Sequence, residues 1–185
     1  MNKLWIALLA LYIGAPALAA EVAGVKLADK AAVGGQELVL NGAGLRTKAI
    51  FKVYVGSLYL PAKASDAAAV LSKAPRRVQL NMLRDVSADD MVNALNEGLR
   101  DNNSAADLAA VKAQSDQLGS ILKGGGELKD GNVVTFDFVD GATVVGVNGA
   151  ARGTIPGEAF NKALMKAWLG DKPVQPDLKK AMLGG

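Results

Sequence analysis

The sequence predicts an α+β fold: an antiparallel β-sheet with helices packed on one face. Three observations carry this. Residues 133–155 read as three short strands joined by Asp140-Gly141 and Asn148-Gly149, dipeptides that favour tight antiparallel hairpins. Residues 50–60 form a long apolar run. Val53, Val55, Ser57 and Tyr59 face one way, and Tyr54, Gly56, Leu58 and Leu60 the other, so this strand is predicted to be covered on both sides. Strands and helices also fall in separate blocks rather than alternating strictly, which favours α+β.

The chain has 185 residues, enough for one domain with a substantial core. Its formal charge of +3 and the lack of a long Lys/Arg cluster argue against a nucleic-acid partner. With no cysteine there can be no disulfide, thiolate nucleophile, thiolate metal site or lipoprotein anchor. With no histidine, a Ser-His-Asp triad, a Cys-His pair and any histidine metal site are excluded. No Asp/Glu cluster suggests a metal, and no motif suggests a cofactor.

Residues 1–20 read as a signal peptide. Lys3 precedes a short apolar run from Leu4 to Ile13, Gly14 and Pro16 break it, and Ala17-Leu18-Ala19 is a small-x-small cleavage site. Cleavage is expected after Ala19 or Ala20, leaving one domain over residues 21–185 without an integral membrane segment, in the periplasm. The alternative is an uncleaved anchor.

A strand is expected over 37–46, where Gly42 and Gly44 signal a bulge or a close backbone approach. The 50–60 strand stops at Pro61. A short helix is expected over 65–73 with Ser65 as its N-cap. Residues 77–84 alternate as a half-buried strand. Ser87 to Asp90 opens a helix with Met91, Ala94, Leu95 and Leu99 as its apolar stripe. Residues 101–104 break it, and a second helix carries Leu108, Val111, Leu118 and Leu122 as far as Gly124-Gly125-Gly126. After the meander come helices over 158–169, with Phe160, Leu164, Ala167 and Trp168 inward, and over 176–182.

The segments Asn41-Gly42-Ala43-Gly44-Leu45-Arg46 and Phe51 to Pro61 resemble the opening of chalcone-isomerase-like proteins, in which a Gly-x-Gly-x-Arg strand leads through a hairpin to a Gly-x-x-Tyr-Leu ending. Trp168-Leu169-Gly170 and the link Pro173-Val174-Gln175-Pro176 match the family's closing elements in order. The resemblance implies the family's open-faced sandwich and a cleft between sheet and helices. It also implies an arginine that stabilises a phenolate, with Thr, Tyr, Asn and Thr donors around it. Only the arginine survives, as Arg46. The strand threonine matches Tyr54, the helix tyrosine Met91, the asparagine Gly98, and the late threonine Ala167, beside Trp168. Met91, Gly98 and Ala167 offer no side-chain hydrogen bond to such a substrate. Losing one such donor costs about 10²–10³ in rate, so the resemblance implies the pocket more than the reaction.

The candidate ligand-binding residues are therefore Arg46, Tyr54, Met91 and Trp168, with no catalytic set. Three readings stand at this point. The first is a binder of a small apolar or amphipathic anion, a fatty acid or an aromatic acid, with Arg46 as counter-ion. The second is an intramolecular lyase or isomerase. The third is an envelope accessory protein whose pocket has collapsed onto Met91 and Trp168.

Overall fold

The computed structural model describes residues 18–72 and 75–185, so most of the expected signal peptide lies outside the described residues. A hairpin of β1 (Leu18–Val22) and β2 (Val25–Ala28) precedes a seven-stranded antiparallel sheet. That sheet runs in chain order through β3 (Lys30–Val33), β4 (Gln36–Lys48), β5 (Phe51–Leu60), β6 (Arg76–Met82), β7 (Val133–Val139), β8 (Ala142–Val147) and β9 (Ala150–Pro156). The helices are α1 (Ala67–Leu71), α2 (Ala88–Asn102), α3 (Ala105–Ala110), α4 (Lys112–Gly124), α5 (Glu158–Leu169) and α6 (Pro176–Met182).

The architecture is the expected α+β sheet with helices on one face. Strand β5 is covered on both sides, as its two apolar faces require. Tyr54, Leu58 and Leu60 join the main core, which includes Leu95 and Leu99 of α2 and Phe160, Leu164 and Trp168 of α5. Val55 and Tyr59 join a smaller cluster with Leu27, Val33 and Leu38. That second cover involves β2 and β3, strands that the sequence does not predict, although Ala23-Gly24 and Gly34-Gly35 are turns with φ between +50° and +86°. Strand β6 alternates buried and half-buried positions as predicted.

Three local expectations need correction. Helix α1 is capped by Asp66, not Ser65, because the Asp66 carboxylate accepts from the Ala69 N–H at 2.6 Å. The second helix of the pair is broken at Val111 into α3 and α4, and a Ser104–Asp107 capping box starts α3. Ala94 stays exposed rather than joining the apolar stripe of α2.

The reading of Gly42 holds in both its forms. The β4–β5 register shifts between Leu40 and Gly42, leaving Asn41 as the extra residue. A Cβ on Gly42 would lie 2.1 Å from the Ala181 carbonyl oxygen, so α6 rests directly on the β4 backbone. Asn41 locks this joint. Its amide donates to the carbonyls of Ala64 (2.9 Å) and Met182 (2.8 Å), and its oxygen accepts from the Ala64 N–H (2.7 Å).

Candidate functional site

Arg46 and Tyr54 are cross-strand partners on β4 and β5. The β5 alternation points Tyr54 at the helix layer, and there its hydroxyl accepts from the Trp168 indole N–H at 3.2 Å. Trp168 is held by the last turn of α5 and by Phe136, with ring centroids 5.7 Å apart. Met91 comes from the first turn of α2, which Ser87 caps through the Asp90 N–H at 3.0 Å.

These four residues line one cavity of about 320 Å³, with Leu80, Leu95 and Val174 completing much of its apolar wall. The volume falls at the low end of the range for small-molecule sites, about 300–1,000 Å³. The space beside Arg46 is therefore hollow, which a collapsed pocket does not predict. Met91 and Trp168 are at the same time core residues, 4% and 1% exposed, so the cavity wall is rigid.

Gln175, in the Pro-Val-Gln-Pro link, holds the guanidinium end of the cavity. Its amide donates to the Leu45 carbonyl (3.1 Å) and accepts from the Thr47 N–H (2.9 Å), pairing with the β4 edge much as a neighbouring strand would. The same oxygen accepts from Arg46 Nη1 at 3.4 Å, and Arg46 also donates to the Thr47 carbonyl. In the sequence Gln175 stands out only as part of the Pro173–Pro176 link. Its role depends on a contact 128 positions away in the chain, which no local pattern encodes.

Burial pushes the Tyr54 hydroxyl above its ordinary pKa of 10.0, and the Trp168 hydrogen bond and the positive Arg46 only partly oppose this. Tyr54 is thus a neutral phenol whose oxygen accepts from the protein and whose proton is free to donate into the cavity. An acid held by Arg46 can accept that bond, which suits a guanidinium–phenol clamp for one anionic oxygen pair. The sign of the pH dependence follows from the raised pKa. The stabilising contribution is complete below about pH 10 and is lost as pH rises through the folded value. In an alkaline titration followed by phenolate absorbance, Tyr54 is expected to ionise together with unfolding rather than at its ordinary pKa. A reversible Tyr54 ionisation near pH 10 in the folded protein would contradict this.

The two positions matching the family's Asn and Thr face each other across a helix crossing. A Cβ on Gly98 would come within 2.6 Å of the Ala167 Cβ. Small residues here let α2 and α5 close onto each other, so a helix contact occupies the place of polar side chains. Leu80, Lys48, Phe51, Arg84 and Val174 also line the cavity and were not singled out from the sequence. Among the described residues no group of three or more His, Cys, Asp or Glu could hold a metal, and no helix is long and apolar enough to cross a membrane.

An antiparallel sheet, one helical layer and a cleft between them with a guanidinium at its rim define an open-faced sandwich with a ligand-sized pocket. The chain belongs to the chalcone isomerase-like family, whose model matches residues 19–184. Among solved structures, a fatty-acid binding protein of Arabidopsis thaliana is similar in fold, with a TM-score of 0.68 at 11% identity, covering 86% of this chain and 92% of that one. No curated protein matches the chain by sequence.

Proposed function

We propose that this protein is a non-catalytic periplasmic binder of a small amphipathic anion, a fatty acid or an aromatic acid. The observation that carries the reading is the hollow beside Arg46. It is a cavity of about 320 Å³ with an apolar wall, lined by the cations Arg46, Lys48 and Arg84 and the neutral phenol of Tyr54, with the carboxylates Asp85, Asp90 and Glu97 at its mouth. Charge-assisted hydrogen bonds from Arg46, with Tyr54 as second donor, take the acid group. Met91, Leu80, Leu95, Val174 and Trp168 take the apolar part. The volume suits a single short chain or one aromatic acid better than a two-chain lipid.

The fatty-acid binding protein of similar fold supports this choice of ligand class. The Gly98–Ala167 contact weighs against the isomerase alternative, because it removes the polar donors that the resemblance requires. The periplasmic part of the reading is supported by the signal-peptide pattern in residues 1–20.

The test is native mass spectrometry of protein isolated from the periplasmic fraction, followed by calorimetric titration with decanoate. An acid should copurify, and Arg46→Ala should weaken decanoate binding about ten- to a hundredfold. Absence of any copurifying acid together with unchanged affinity in Arg46→Ala would remove the proposal.

A further inference from the structure

The β4–β5 hairpin ends in an apolar tip that the core does not use. Among the described residues, only Ile50 and Phe51 are large hydrophobic side chains left exposed, at 88% and 52%. They are adjacent in sequence, and Phe51 lines the mouth of the cavity beside Lys48 and Arg84. The turn itself is unusual within this protein. The other four tight hairpins place glycine at the second turn position with positive φ: Gly24, Gly35, Gly141 and Gly149. The β4–β5 turn instead has Ala49 at φ +52° followed by Ile50. Ala23, Asp140 and Asn148 hold the first position of other turns at the same positive φ, so what sets this turn apart is the bare isoleucine where the others have glycine, a choice against local turn chemistry of the kind expected where function overrides it.

The charge around the tip is of one sign. Residues 46–54 contain Arg46, Lys48 and Lys52 and no acid. Lys48 and Lys52 are exposed and in no ion pair with described residues. The Arg84 guanidinium lies 4.5 Å from the Phe51 ring centroid, adding a cation at the apolar tip. The acids at the cavity mouth, Asp85, Asp90 and Glu97, lie outside the hairpin. Of these, Asp85 is engaged by Lys129 at 3.1 Å and Asp90 by the Ser87 hydroxyl at 2.7 Å.

We propose that the Ala49–Ile50–Phe51 tip inserts into an anionic lipid bilayer surface, with Lys48, Lys52 and Arg84 contacting the headgroups, and so opens the cavity mouth onto the membrane. Two apolar side chains ringed by cations fit the interfacial zone, where apolar insertion and attraction to anionic lipid add. The docking stands on the hairpin alone. Its purpose, exchange of an amphipathic acid between bilayer and cavity, rests on the proposed function.

The experiment is flotation of the isolated protein with phosphatidylcholine vesicles, with and without phosphatidylglycerol. The variant is Ile50→Asn/Lys52→Glu, which alters two residues outside the cavity lining and shares the wild-type N-terminus. Wild type should float with the anionic vesicles, and less with neutral ones or at high salt. The variant should lose about tenfold or more of its partitioning, while its decanoate affinity and thermal unfolding stay unchanged. Equal flotation of wild type and variant, or no flotation of wild type, overturns docking. So does a concentration-dependent dimer that the variant abolishes, since a second copy would then cover the tip. Flotation that depends on the tip, in a protein that binds no decanoate, keeps docking and rejects the ligand reading. Decanoate binding without flotation does the reverse.

Discussion

Asn41→Ala is expected to lower the unfolding free energy by about 2–4 kcal/mol, one of the two largest effects anticipated for this protein. The side chain is 5% exposed and forms three hydrogen bonds, all to main-chain groups. Alanine removes the partner but leaves behind the Ala64 N–H and the carbonyls of Ala64 and Met182. An unsatisfied buried group costs about 1–3 kcal/mol, more than the net value of the bond that satisfied it. Water cannot easily replace the amide, because Gly42 holds the end of α6 against β4. Urea unfolding should show a lower midpoint with an unchanged slope. Hydrogen exchange should also quicken in residues 176–182, since the amide ties down the C-terminal end of that helix. A change below about 0.5 kcal/mol, the level of ordinary surface substitutions, would mean that the joint is held by packing alone.

The second large effect is expected at the α2–α5 crossing. Gly98→Ala places a methyl group 2.6 Å from the Ala167 Cβ and 3.2 Å from its Cα. The contact cannot be relieved by a rotamer, because neither alanine has one. Overpacking of this kind costs about 1–3 kcal/mol, set against a gain in helix propensity of about 1 kcal/mol. The larger Gly98→Asn, which restores the family's amide in type, should cost about 3 kcal/mol and still give no isomerase, because the helices must separate to admit it. The discriminating measurement is a double-mutant cycle. Ala167→Gly alone should cost about 1 kcal/mol through propensity. Gly98→Ala/Ala167→Gly moves the methyl group from one helix to the other and should recover most of the stability, with a coupling of about 1 kcal/mol or more. Strict additivity would show that the two positions do not press on each other.

The tip and the clamp divide the proposed work between them. On these proposals Arg46 and Tyr54 would hold the charged end of a ligand already in the cavity, whereas Ile50 and Lys52 would set where the cavity mouth is placed. Substitutions in one pair should leave the other pair's readout unchanged.

Much of the fold was legible in the sequence, because each element carries its own periodic signal. The two faces of β5, the Asp140-Gly141 and Asn148-Gly149 turns and the inner stripe of α5 follow from spacing within about a dozen residues, and the structure places them as read. Gly42 announced a close approach, though not that the approaching group is the end of α6. Tertiary structure alone decided the partners. It set Tyr54 under the Trp168 indole, Gln175 along the β4 edge beside Arg46, Asn41 between two distant carbonyls, and Gly98 against Ala167. The physical reason is that periodicity fixes which way a side chain faces along its own element. What it meets there is set by register, helix crossing and chain closure, which depend on residues from about twenty to more than a hundred positions away. A hollow has even less local signature, since it is defined by the side chains that fail to meet.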